Sequence, residues 1–138
     1  MATNIIQHHQ PFDFETFFEN IKSQHIGLDY NDYLYFLHND GEKHSFMGRA
    51  EWEVRVKNAL ENAIASDEAV EIINRAASVV INLMRSSEAE RPLTVDEVQY
   101  LNEFMTGFPE NCDVTWGLSE DSTLGNAVKA IILVNVKD

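Results

Sequence analysis

The sequence predicts an α/β fold, a four-stranded mixed sheet covered by helices and ending in a C-terminal β-hairpin. Three observations carry this. Apolar residues recur with helical period in 48–66 and 94–108. They form compact runs of strand length in 77–87 and 128–136. Finally, "DVTWGLSEDSTLGNAVKAIILVNV" (113–136) reads as a strand, a polar turn carrying Gly125, and a second strand that is almost wholly apolar in its middle.

The elements follow in order. In "PFDFETFFENIKS" (11–23), Asp13 stands where a helix N-cap belongs, and Phe14, Phe17, Phe18 and Ile21 share one helical face. Residues 32–38 are rich in aromatic and aliphatic side chains and precede the turn residues Asn39-Asp40-Gly41, which predicts a strand. The stretch 48–66 predicts a long helix with Trp52, Val56, Ala59, Leu60, Ala63 and Ile64 on its apolar stripe, and Glu51–Arg55 and Glu53–Lys57 as outward i,i+4 pairs. Residues 67–76 fit either a short helix or a connecting segment docked on the sheet, and 77–87 fit a buried strand. Thr94 and Glu97 have capping-box spacing, with Val98, Leu101, Phe104, Met105 and Phe108 inward and Gly107 near the helix end. Strands alternating with helices call for parallel pairing, and the last strand, apolar on both faces, belongs in the middle of the sheet.

Length and charge bound the rest. A chain of 138 residues suits a single domain spanning 1–138, with no disulfide or metal needed for its core. A formal charge of −13, with no cluster of Lys and Arg, argues against nucleic acid and anionic membrane surfaces as partners. The N-terminal "MATNIIQHHQ" lacks the basic flank and apolar region of a signal peptide, and no run approaches the roughly 20 apolar residues of a membrane helix, so a cytoplasmic location is expected. The single Cys112 agrees with a reducing compartment and is expected to be structural.

The residues "CDVTWGLSEDSTLGNAVKAIILVNV" resemble the closing segment of the C-terminal domain of FtsZ, the bacterial tubulin homologue, through Trp116-Gly117, Glu120-Asp121, Leu124-Gly125 and Val128 to Val134. "GRAEWEVRVKNALENAI" looks like that domain's Gly-x-x-Arg-Ala helix, "SVVINL" like its next strand and "LTVDEVQYLNEFM" like the helix after it, so the likeness covers roughly residues 11–136. The resemblance implies a module without the Gly-rich loop by which the family's N-terminal domain cradles GTP phosphates, since the six glycines here are scattered. It therefore implies no GTP hydrolysis by these residues and no cofactor. The family also completes its GTPase across the subunit interface with an Asn-x-Asp-x-x-Asp loop; the matching positions are Pro11, Asp13 and Thr16, so one acid of two remains. Glu15 lies about 100° around the helix from the lost acid, so the loop is expected to serve docking and not catalysis. Asp13 as a plain N-cap is the competing reading.

The expected partner is thus a protein, FtsZ or a second copy of the chain, met through Pro11, Asp13, Thr16, Tyr33 and Tyr35. The two tyrosines enter because alternate aromatics on an edge strand reach outward. Trp52 and Trp116 are expected in the core by period and strand context. His38, Asp40, Glu42 and His44 flank the turn at 39–41, yet no ligand spacing supports a metal, and adjacent His8 and His9 diverge. An alternative function is a small enzyme or ligand-binding protein with a pocket at strand ends among His38, Glu42 and His44.

Overall fold

A computed structural model describes residues 5–8, 12–20, 25–26, 30–52 and 54–137; Pro11, His9 and the end of the first predicted helix lie outside them. The elements run β1 (Ile5–Gln7), α1 (Phe14–Asn20), β2 (His25–Ile26), α2 (Tyr30–His38), β3 (Glu42–Ala50), α3 (Arg55–Ala63), α4 (Asp67–Asn74), β4 (Ala76–Arg85), α5 (Val95–Met105), β5 (Asp113–Glu120) and β6 (Val128–Val136). The strands form one mixed sheet in the order β1-β3-β6-β4-β5-β2. Four long strands make its body, and the short β1 and β2 close its two edges.

β6 pairs antiparallel with β3 along Ala50↔Val128 to Glu42↔Val136 and antiparallel with β4 on its other side. Its side chains alternate between two cores, as strand geometry requires. Val128, Ala130, Ile132 and Val134 join the helices α3, α4 and α5 through Val56, Leu60, Ile72 and Leu101. Ile131 and Leu133 join Phe14 and Phe17 of α1 and Tyr33 and Phe36 of α2 on the opposite face. The sheet is therefore covered by helices on both sides, and β6 is central, as its unbroken apolar run predicts.

Three expectations are corrected. Residues 32–38 form a helix and not a strand: Tyr33, Phe36 and Leu37 recur at helical spacing, and Tyr33 and Phe36 are buried, so period outweighed β-propensity. The strand in that part of the chain is β3, concealed in the sequence because its buried positions include Lys43, His44 and Ser45. The predicted helix 48–66 begins only at Arg55, because residues 48–50 still belong to β3 and Val54 takes a left-handed turn (φ 49°) before the helix. The C-terminal hairpin is also absent: β5 and β6 are antiparallel, but β4 lies between them, paired parallel with β5 and antiparallel with β6. The turn joining them uses Gly125 at φ 60°, and Asp121 accepts hydrogen bonds from the amide and hydroxyl of Thr123. Residues 67–74, left open by the sequence, are a helix whose N-cap Ser66 accepts from the Ala69 amide at 3.1 Å.

α3 and α5 are tied together at their N-terminal turns. Arg55, 3% exposed, donates to Glu97 Oε2 at 2.7 Å and Oε1 at 3.0 Å, and its remaining nitrogen donates to the Asn126 carbonyl at 2.7 Å. Glu97 closes the predicted capping box by accepting from the Thr94 amide at 3.2 Å, while the Thr94 hydroxyl accepts from the Glu97 amide. Burial alone would raise the Glu97 carboxyl, but hydrogen bonds from Arg55 and Thr94 outweigh it and hold it below the ordinary carboxylate range.

Two predictions test this framework. A Cβ at Gly48 would overlap the Ala59 carbonyl oxygen and the Ala63 amide nitrogen of α3, neither of which can rotate away. Gly48→Ala is therefore expected to destabilise the fold by about 3 kcal/mol in urea unfolding; an unchanged midpoint would mean that α3 does not ride this close to β3. Glu97→Gln removes the partner of a buried guanidinium and is expected to cost about 3 kcal/mol at pH 7. A carboxyl depressed in the fold stabilises above its unfolded value, about 4.3, and that contribution disappears as pH falls through the lower folded value. The gap between variant and wild type should accordingly close in unfolding curves taken well below pH 4.

Candidate interaction surface

The sequence-predicted surface begins at α1. Asp13 caps this helix: Oδ1 accepts from the Thr16 amide at 3.0 Å, Oδ2 accepts from the Thr16 hydroxyl at 2.6 Å, and the Asp13 carbonyl accepts from the Phe17 amide. The Thr16 hydrogen bonds, side chain first, draw the Asp13 carboxyl below its usual value although the group is solvent-exposed. Both side chains are thus brought together, each engaged with the other. α1 is held in place by aromatic packing beneath it. Phe12 meets Phe14 and Phe17 edge-on at 5.0 and 5.5 Å, Phe17 meets Tyr33 at 6.0 Å, and Lys129 lies over the Phe12 ring at 5.5 Å.

Tyr33 cannot belong to a docking surface. As part of a helix its side chain turns inward, where it is fully buried and its hydroxyl donates to Asn82 Oδ1 at 2.7 Å. Asn82 passes the connection on by donating to the Ser119 hydroxyl at 2.7 Å, so the three residues link α2, β4 and β5. Burial pushes the Tyr33 phenol above its ordinary value, which fixes it as a hydrogen-bond donor. Tyr35, two residues on, is 69% exposed and remains available to a partner. The contrast follows from the helical period, which separates residues two apart by roughly 200°.

A shallow cavity of about 240 Å³ opens beside Tyr35, lined also by Asp32, Phe36, Asn39, Ser78, Asp113 and Thr115. The Ser78 hydroxyl is buried there without a hydrogen-bond partner. This is a pocket at strand ends, as the alternative reading expects, but it sits at the starts of β4 and β5 and not among His38, Glu42 and His44. Within that latter group, His44 is buried and bonded to His8 and Glu42. Among the described residues no group of His, Cys, Asp and Glu is placed to hold a metal ion. The Cys112 thiol is pushed up to about 11 by burial, with the Asp113 charge adding to it, so it is not a ready nucleophile.

The sequence reading missed a second surface. Trp52, expected in the core, is 75% exposed because the helix it was assigned to has not yet begun. With Val54, Arg91, Pro92 and Tyr100 it borders a groove of about 560 Å³ over the Arg55–Glu97 pair, and Val95 nearby is exposed as well. Trp116, by contrast, packs half-buried against the core. Gly48 lies in β3 against Ala59 and Ala63 of α3, a contact between elements that the local sequence pattern does not reveal.

Among the described residues no helix is long and apolar enough to cross a membrane. No protein-family model matches the chain. Comparison with curated proteins finds the cell division protein FtsZ of Porphyromonas gingivalis, 28% identical over 120 residues, which covers 83% of this chain and 25% of that protein. Among solved structures, an empty FtsZ dimer of M. jannaschii superposes with a TM-score of 0.66 at 23% identity over 83% of this chain and 32% of the other. TubZ of Bacillus thuringiensis serovar israelensis, in GDP-form protofilaments, gives 0.57 at 15% identity over 82% and 31%. The chain spans about a quarter of the curated relative and about a third of these solved chains. It has the fold of one part of FtsZ and a matching resemblance in sequence: a partial FtsZ-like domain.

Proposed function

We propose that the chain is a non-enzymatic interaction module that docks on a filament-forming protein of the FtsZ kind, or on a second copy of itself, through the α1–α2 face. The observation that supports this most is the state of Asp13. The loop pattern that resembles the family's trans-acting one keeps this single acid, and each of its oxygens accepts a hydrogen bond from Thr16 at the start of α1. A carboxylate so engaged, with Thr16 where the second acid would stand, suits a shape that is recognised and not a group that orients water. The 138 residues also contain no Gly-rich phosphate loop. Docking would then be competitive: Asp13, Thr16 and Tyr35, with Pro11 beside them in sequence, would occupy the face at which another protomer adds. The charge of −13 favours a partner of different sequence over self-association.

A second reading, small-ligand binding, is favoured by the cavity beside Tyr35 and its unpartnered Ser78 hydroxyl. A flat exposed Tyr35 serves the first reading and a filled cavity the second.

The test adds the protein to FtsZ assembling with GTP and follows polymer mass by sedimentation together with GTP turnover. Both are expected to fall as the protein approaches equimolar amounts. Tyr35→Ala should weaken the effect several-fold, whereas Asp13→Asn, which retains the cap, should weaken it only if the charge itself is read. Unchanged polymer mass and turnover at several-fold excess would remove the docking proposal.

A further inference from the structure

Two histidines meet where β1 joins the sheet, on the side covered by α4. His8 Nε2 lies 2.8 Å from His44 Nδ1, and the other nitrogen of His44 lies 2.7 Å from Glu42 Oε1. The remaining nitrogen of His8 is 3.4 Å from Glu68 Oε1 of α4. The two rings lie within 20° of parallel, and His8 also stacks on Phe46 at 4.5 Å. Both imidazoles are largely buried while the two carboxylates stay in solvent.

Counting protons shows what this chain of groups tolerates. A carboxylate only accepts, and a ring nitrogen donates only when protonated. The bond to Glu42 needs a proton on His44 Nε2, and the bond between the rings needs one proton, supplied by His8 Nε2. Two neutral imidazoles carry these two. A third proton, on His8 Nδ1, faces Glu68 and forms an ion pair. The fourth has one place left, His44 Nδ1, where it would point at the proton of His8 Nε2. Two donors at 2.8 Å, on two rings both positive, cannot stay together.

We propose that the His8–His44 pair is a proton-operated latch that fastens β1 to β3 and opens when both rings become charged. Among the described residues, the other charged groups nearby are engaged elsewhere or lie in solvent. Lys43, next to His44, sends its ammonium to the carbonyls of Asn39 and Gly41, Glu71 of α4 pairs with Arg75 at 3.9 Å, and Asp67 is exposed. Opposite His44 and Glu42, β6 presents only Val134 and Val136. Among the described residues, β1 is also held by three residues of parallel pairing, Ile5↔Lys43 to Gln7↔Ser45, by burial of Ile5, and by the His8 amide donating to the Ser45 carbonyl at 3.2 Å. Opening it would bare the outer edge of β3 at 43–45, an unpaired strand edge able to accept another strand. It would also loosen the start of α1, because Gln7 Oε1 accepts from the Phe12 amide at 2.6 Å. The inference holds whatever protein the α1–α2 face docks on.

Amide exchange of the whole chain by NMR between pH 7.5 and 5, corrected for the intrinsic pH dependence of exchange, tests the latch. The His8 amide is expected to lose at least tenfold in protection at the acid end while β4 and β6 keep theirs. His8→Phe preserves the stack on Phe46 but not the hydrogen bond, so protection at position 8 should be lower and independent of pH; His44→Gln should behave alike. Constant protection in the wild type would overturn the proposal, as would an equal acid loss in His8→Phe. Simultaneous loss in β4 and β6 would overturn it too, since the transition would then be global. Ring nitrogen spectra showing both imidazoles charged with the His8 amide still protected would be equally decisive against it.

Discussion

The pairing of β6 on both its edges and the covering of both its faces is the constraint on which the other elements depend. A strand so buried, with only Lys129 partly exposed, leaves little water to compensate a missing hydrogen bond, so its neighbours must supply most of its partners; the Asn135 amide nitrogen donates to the Asp40 carbonyl, while its Oδ1 is buried without a partner. β3 and β4 supply the ladders, and two separate helix layers supply the apolar cover. The layers differ in how they are fixed. α3 lies against β3 because Gly48 has no side chain to hold it off, and the Arg55–Glu97 pair locks it to α5. α1 and α2 are held on the opposite face by aromatic rings and by the Tyr33–Asn82–Ser119 hydrogen bonds.

The two layers also differ in what they expose. The α3–α5 layer carries the larger apolar cluster and the buried ion pair, whereas the α1–α2 layer puts small polar groups and Tyr35 at the surface. The Asp13 carboxylate shapes the start of α1 by accepting from the Thr16 amide and hydroxyl. A fold shared with part of FtsZ does not by itself decide what its surfaces do, since one scaffold hosts different sites.

Much of this was legible in the sequence because the residues concerned obey one period at a time. The apolar run of β6, the stripe and capping box of α5 and the run of β4 each have a single reading, and the turn at Gly125 punctuates the last two strands. The failures come where two cues compete. Tyr33 to Leu37 have the composition of a strand and the spacing of a helix, and burial against β4 decided for the helix. β3 looks polar because Lys43 is satisfied by carbonyls and His44 by His8 and Glu42, partners remote in sequence or dependent on the turn at 39–41. Strand order is less accessible still: nothing local in 113–136 says that β4 will enter between its two strands. The site reading inherited these errors. Asp13 and Thr16 are hydrogen-bonded to each other at the start of α1, and of the two tyrosines expected at the surface the helix buries Tyr33 and leaves Tyr35 exposed.

The central claim, that the α1–α2 face is a docking surface for a filament-forming protein, is tested most directly by mapping contacts on the labelled chain. The measurement is a titration of the nitrogen-15-labelled protein with unlabelled FtsZ, followed amide by amide. Shifts or broadening concentrated at residues 13–16 and around Tyr35, with the Trp52–Val54 groove unaffected, are the predicted result. An unperturbed spectrum at several-fold excess of FtsZ, or changes confined to the groove, would contradict it.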